Sequence, residues 1–85
     1  MPMFVIERNF AEQLELGADD AKLVGEVNAE VGVHWLYSFL SADKKKTYCL
    51  YEAANAELIR EAARRAHLPA DVIVEVSELR PEAFV

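Results

Sequence analysis

The feature that most constrains this fold is a short polar turn at the middle of the chain, residues 42–46 (ADKKK). It separates two segments with strand-like composition, 33–41 (VHWLYSFLS) and 47–53 (TYCLYEA), which are rich in aromatic and β-branched residues. So short a turn joins antiparallel neighbours, because a parallel crossover needs about a dozen residues or more. The centre of the chain is therefore predicted to be a β-hairpin.

One strand and one helix precede this hairpin. Residues 3–9 (MFVIERN) alternate between two sides, with Phe4, Ile6 and Arg8 pointing one way, as in a strand. After a connector, apolar residues recur at helical spacing from position 23 to position 31. We expect Asp19 or Asp20 to cap the start of this helix and Gly32 to end it.

The second half repeats the helix and the strand. Asn55 is predicted to cap a helix over 56–66, which ends before Pro69 because proline cannot continue a helix. Residues 72–79 (VIVEVSEL) form the last predicted strand.

The resulting β-α-β-β-α-β order predicts an α+β domain of ferredoxin-like fold over residues 1–85. Right-handed crossovers place both helices on one face of a four-stranded antiparallel sheet and leave the other face open. A chain of 85 residues has a marginal core, so we expect the open face to pair with a second copy in a dimeric α/β-barrel type of assembly.

Composition excludes several classes of function. The net charge of −6 has the wrong sign for a nucleic-acid-binding surface. The sequence has no apolar run long enough for a membrane span, and its start does not resemble a signal peptide. With a single cysteine and no possible internal disulfide, the chain is expected to be soluble and cytoplasmic.

Strand alternation sorts the hairpin residues into two sets, one of them aromatic. We expect the aromatic set on the open face, where polar-tipped rings form a surface suited to a small ligand. The alternative is that these rings are core or dimer contacts. The predicted ligand-binding residues are Glu7, Trp35, Tyr37, Phe39, Cys49 and Tyr51.

The only residues that suggest a transition-metal site are His34, Cys49 and His67. Each has a simpler explanation. His34 is a solvated imidazole at a strand start, Cys49 is a small buried thiol, and His67 is a favourable group near a helix C-terminus. Their spacing does not indicate that they converge. No serine–histidine–acid arrangement or glycine-rich phosphate loop is present.

Several segments together resemble a family of small bacterial proteins, long labelled a domain of unknown function. Its described member is a nickel-binding protein with a ferredoxin-like fold and a dimeric assembly. The matching segments are 5–8 (VIER), 33–39 (VHWLYSF), 46–53 (KTYCLYEA), 59–63 (IREAA) and 68–70 (LPA).

The resemblance implies nickel as a cofactor, and two departures bear on that implication. A histidine often follows the Trp-Leu pair in the family, where this chain has Tyr37. Another often follows the Ile-Arg-Glu run, where this chain has Ala62. Imidazole suits nickel, so these replacements weaken the transfer of metal binding but leave the expected fold and dimer intact.

Three functions stay open on the sequence alone. The first is a homodimeric binding protein that holds a small molecule or a metal ion on its open face. The second is a cofactor-free enzyme resembling small isomerases or monooxygenases, with Glu7, His34, Tyr37 and Tyr51 as candidate groups. The third is a protein that only assembles with a partner.

Overall fold

The computed structural model describes residues 1–84, and their elements follow the predicted order. Antiparallel pairing joins all four strands into one sheet in the order β2-β3-β1-β4. The ferredoxin-like fold is therefore confirmed. The elements are β1 (Met3–Asn9), α1 (Ala18–Val31), β2 (His34–Leu40), β3 (Lys46–Glu52), α2 (Ala56–Arg65), β4 (Val72–Val76) and a final 3₁₀ turn (Pro81–Phe84).

The start of α1 differs from the prediction. The N-cap is Gly17, and the carboxylate of Asp20 accepts a hydrogen bond from the Gly17 backbone N–H at 3.1 Å. The aspartate thus lies inside the first turn, where it also complements the positive end of the helix dipole. Asn55 caps α2 as predicted, since its side-chain oxygen accepts from the Leu58 N–H at 3.1 Å.

The last strand is shorter than predicted. It ends at Val76, and residues 77–80 carry no regular structure before the 3₁₀ turn. Its central residue Val74 lies opposite Val5, and Ile73 lies opposite Ile6. The alternation therefore holds through the part of the strand that pairs with β1.

The core lies between the sheet and the two helices. Ile6, Val33 and Ile59 are its largest fully buried side chains. Ala62 and Ala63 face it from α2, and their small side chains allow helix and sheet to approach closely. Neither helix in residues 1–84 has the length and apolarity that a membrane crossing requires.

The opposite side of the sheet, called the open face below, is covered by neither α1 nor α2. Its members follow from the strand register, and most are half-buried or exposed. Lys46 at its rim lies 3.7 Å from the carboxylate of Glu7. The open face consists of Met3, Val5, Glu7, His34, Tyr37, Phe39, Tyr48, Leu50, Glu52, Val72, Val74 and Val76.

A β-bulge interrupts β2. Trp35 lies opposite Tyr51, but Tyr37 lies opposite Leu50, so Leu36 is an extra residue with no partner of its own. A bulge shifts the alternation by one position, and every later side chain of the strand changes face. Trp35 and Ser38 therefore both point toward the helices, whereas Tyr37 and Phe39 point to the open face.

Candidate functional site

A cavity of about 330 Å³ lies on the helix side of the sheet, next to the connector between β1 and α1. Its volume is at the lower end of the range for small-molecule sites. Exposed residues such as Leu16 and Lys44 form its rim, so it opens to solvent on one side. The lining residues are Arg8, Phe10, Leu14, Leu16, Val24, Trp35, Ser38, Leu40, Lys44, Thr47, Cys49, Tyr51 and Leu68.

The sheet supplies the polar groups of the cavity from adjacent inward positions. Thr47, Cys49 and Tyr51 alternate along β3, so all three side chains point to the helix side. Arg8 lies opposite Thr47 on β1, and Ser38 lies opposite Cys49 on β2. The connector, α1 and the segment after α2 supply most of the apolar side chains, which close the space above this polar floor.

Hydrogen bonds fix the orientation of these side chains. The indole Nε1 of Trp35 donates to the Ser38 hydroxyl at 2.8 Å. The Cys49 thiol lies 3.6 Å from the Thr47 hydroxyl. These two contacts restrict the rotamers of the four side chains at the cavity floor.

Tyr51 is held by a buried amide from the helix layer. The side-chain nitrogen of Asn28 on α1 donates to the Tyr51 hydroxyl at 3.3 Å. Burial raises the pKa of Tyr51 above its usual value, and this outweighs the opposing effects of the Asn28 hydrogen bond and the positive charge of Arg8. The phenol thus stays protonated in the folded protein at neutral pH.

The predicted ligand-binding set is divided between the two faces of the sheet. Trp35, Cys49 and Tyr51 lie in the cavity on the helix side, so their predicted placement on the open face is wrong. Glu7, Tyr37 and Phe39 do lie on the open face. The division has two causes. Cys49 and Tyr51 occupy the positions of β3 that point to the core, and the bulge at Leu36 places Trp35 on the opposite face from Tyr37 and Phe39.

The groups named for an enzyme are divided in the same way. Glu7, His34 and Tyr37 share the open face, and Tyr51 points away from them. Glu7 is engaged by Lys46. Tyr37 contacts the ring of Phe39 edge to face, with centroids 5.7 Å apart.

The predicted metal ligands do not come together within one chain. His34 is exposed on the open face, Cys49 is buried on the helix side, and His67 is exposed after α2 with a left-handed backbone (φ 57°). Residues 1–84 contain no group of three or more histidine, cysteine or acidic side chains placed to hold a metal ion. A complete nickel site is thus not formed by these residues of a single copy.

Sequence reasoning did not identify two buried polar residues of this region, Arg8 and Asn28. A signal existed for Arg8, because its alternation with Phe4 and Ile6 places it on the same face as those core residues. Asn28 had a weaker signal. It follows Val27 directly and lies four positions after Val24, at the edge of the apolar stripe of α1.

The fold and the cavity define a small ferredoxin-like protein with an apolar, partly open pocket between its sheet and its helices. The sequence model of a family described as "Nickel responsive protein SCO4226-like" matches residues 4–76. The chain therefore belongs to this nickel-responsive SCO4226-like family.

The comparison with solved structures agrees on the fold. The chain is similar to the crystal structure of SCO4226 from Streptomyces coelicolor A3(2), with a TM-score of 0.76 at 22% sequence identity. The match covers 92% of this chain and 99% of that one. No curated protein matches the chain.

Proposed function

We propose that this chain is a homodimeric binding protein that holds a small ligand in its helix-side cavity. The single observation that carries the proposal is the cavity itself, about 330 Å³ with mostly apolar walls and a few oriented polar groups. Such a combination is typical of ligand sites. Among its lining residues within 1–84 there is no carboxylate or imidazole, the groups that most often transfer protons in enzymes. We therefore favour binding over catalysis.

The occupant of the open face is proposed to be a second copy of the same chain. The face presents large exposed apolar side chains, among them Phe39, Tyr37 and Val74. It carries few charged groups: Glu7 lies beside Lys46, and Glu52 is the other acidic residue. A face with so few charges can meet its own copy without strong repulsion, although the whole chain carries a charge of −6.

A nickel response at the dimer interface is a second candidate function. It is supported by family membership and by the placement of His34 directly opposite Glu52 on the open face. Imidazole and carboxylate are both suitable nickel ligands. One copy offers only these two groups at that point, so the candidate requires that a second copy supply the remaining ligands.

We place the protein in the cytoplasm. The support for this location is the free, buried thiol of Cys49, which suits a reducing compartment.

Native mass spectrometry of the freshly purified chain tests this proposal. We expect the mass of two chains, with a small retained mass that collisional activation releases. Addition of nickel distinguishes the second candidate, which requires stoichiometric uptake by the dimer. A single-chain mass at micromolar concentration would contradict the dimer, and a dimer that never retains or takes up any small molecule would contradict the ligand site.

A further inference from the structure

Arg8 is a buried cation in the wall of the cavity. It is the third inward-pointing residue of β1 after Phe4 and Ile6, and only 3% of its surface is exposed. Arginine keeps its positive charge at all accessible pH values, so folding buries a full charge at this position. A buried charge is costly unless it is paired and hydrogen-bonded.

The groups around Arg8 within residues 1–84 compensate for this charge only in part. Its Nη1 donates a hydrogen bond to the backbone oxygen of Pro69 at 2.5 Å. Its guanidinium carbon lies 5.8 Å from the centre of the Tyr51 ring, which is a cation–π distance. Both partners are neutral, and no ion pair with Asp or Glu is formed by Arg8 among the described residues. A guanidinium has five N–H groups, so most of its donor capacity stays available.

The charge of the cavity lining is opposite to the charge of the chain. The sequence has 15 acidic residues and 9 basic ones. Within residues 1–84 the lining nevertheless contains two basic residues, Arg8 inside and Lys44 at the rim, and no acidic residue. The cavity is therefore a positive site in an acidic protein, and its field favours an anion.

We propose that the cavity binds a small organic monocarboxylate, with the carboxylate against Arg8 and an apolar body against the leucines. This proposal rests on the proposed ligand-binding function and names the ligand class. Arginine recognises a planar carboxylate with two parallel hydrogen bonds. The apolar walls, which include Leu14, Leu40 and Leu68, favour an organic acid over a fully hydrated inorganic anion.

The volume limits the size of the ligand. A cavity of 150 Å³ accommodates benzene, so about 330 Å³ provides room for on the order of a dozen non-hydrogen atoms. A phenyl-substituted short-chain acid has this size. Its ring would lie near Trp35, the only tryptophan of the chain, so that binding can be followed by tryptophan fluorescence.

The test measures the binding of two compounds of equal shape to the wild-type protein, one with a charged carboxylate and one with an uncharged amide. We expect 3-phenylpropionate to bind at least about tenfold more tightly than 3-phenylpropanamide, because only the acid forms charge-assisted hydrogen bonds with Arg8. Titration calorimetry and Trp35 fluorescence measure both affinities. Inorganic phosphate should not compete at millimolar concentration, and competition by phosphate would overturn the organic-acid class.

Two substitutions then show which cation causes the preference for the acid over the amide. Arg8→Gln should abolish the preference for the acid, whereas Lys44→Gln, which removes the exposed charge at the rim, should retain most of it. If Lys44→Gln instead abolishes it, the assignment to Arg8 is wrong. Should Arg8→Gln fail to fold by circular dichroism, the wild-type comparison of acid with amide decides by itself.

The outcomes distinguish the proposed carboxylate class from the more general proposal that the cavity binds a small ligand. Equal binding of acid and amide overturns the carboxylate class and leaves the ligand-binding function standing. If neither the acid nor the amide binds at millimolar concentration and the dimer retains no small mass, the carboxylate class and the ligand-binding function are both overturned.

Discussion

The indole Nε1 of Trp35 donates a hydrogen bond to the hydroxyl of Ser38 at 2.8 Å, although the two residues are three positions apart in one strand. Positions i and i+3 of a regular strand lie on opposite faces. Here they share a face because the bulge at Leu36 adds one residue between them. The hydrogen bond therefore spans the bulge and fixes the indole at the cavity wall.

Replacement of this hydroxyl is expected to destabilise the protein. Ser38→Ala leaves the partly buried indole N–H without its acceptor, which should lower the free energy of unfolding by about 1–2 kcal/mol. Urea denaturation followed by Trp35 fluorescence measures the change. Ser77→Ala, at an exposed position after β4, is the matched control and should have little effect. Equal stability of wild type and Ser38→Ala would show that the bond does not hold the bulge.

The fold was predictable from the sequence, but the site was predictable only in part. Hydrophobic periodicity and the short turn at 42–46 determine the order of elements and the sheet, because they depend on local spacing. The bulge has no such signal, since Leu36 fits the alternating pattern of either register. The sequence therefore predicts the aromatic residues on one face, whereas the structure divides them between both faces.

The buried cation illustrates the same limit. Arg8 belongs by alternation to the inward side of β1, yet an arginine near a strand end usually extends to solvent. Its burial depends on Pro69 and Tyr51, which are far from it in the sequence. Contacts of this kind are determined by tertiary packing and are not visible in local patterns.

A charge on the β2 edge of the open face should prevent dimer formation. Phe39 is 66% exposed in a single copy and belongs to the face proposed to meet a second copy. Phe39→Asp would bury a carboxylate there without a partner and should raise the dimer dissociation constant by roughly 100-fold or more. Analytical ultracentrifugation over a concentration series measures this.

A matched control for this prediction lies on the helix side. Leu23 on α1 is 51% exposed, and Leu23→Asp adds the same charge away from the open face. It should leave the dimer intact. A dimer that is weakened by Leu23→Asp and not by Phe39→Asp would place the interface on the helices.

The pKa of Tyr51 predicts a dependence of stability on pH. Burial raises this pKa in the folded state, so the folded protein keeps the phenolic proton after the unfolded chain has lost it. The contribution of the protonated phenol is complete below about pH 10 and is lost as the pH rises through the folded-state pKa.

Comparison with Tyr51→Phe isolates this effect. As the pH rises above about 10, wild-type stability should fall by more than the stability of Tyr51→Phe, which has no phenolic proton at this position. Urea midpoints of both proteins over this range measure the difference. Parallel pH profiles would show that the phenol is not desolvated. At pH 7 the variant should be less stable by about 1 kcal/mol, because the bond from Asn28 is lost.

Occupation of the cavity should protect Cys49 from alkylation. The thiol is 6% exposed and lines the cavity, so a reagent reaches it through the same opening as a ligand. At a 3-phenylpropionate concentration ten times its dissociation constant, the rate of reaction with iodoacetamide should fall by about tenfold. Mass spectrometry of the modified chain gives the rate. An unchanged rate at saturation would place the acid outside the cavity.

The two histidines of the chain provide a matched pair for the nickel candidate. His34 lies opposite Glu52 on the open face, whereas His67 is exposed in the segment that follows α2. If nickel binds between two copies, His34→Ala should abolish its stoichiometric uptake and His67→Ala should leave the uptake unchanged, because only His34 lies on the face proposed to meet a second copy. Native mass spectrometry with added nickel measures the uptake and the oligomeric state together.

The Phe39→Asp variant should also lose nickel, since it retains His34 and Glu52 but not the second copy that completes the ligand set. Uptake by a Phe39→Asp monomer would contradict an interfacial site, and loss of uptake in His67→Ala alone would move the site to the region beyond α2.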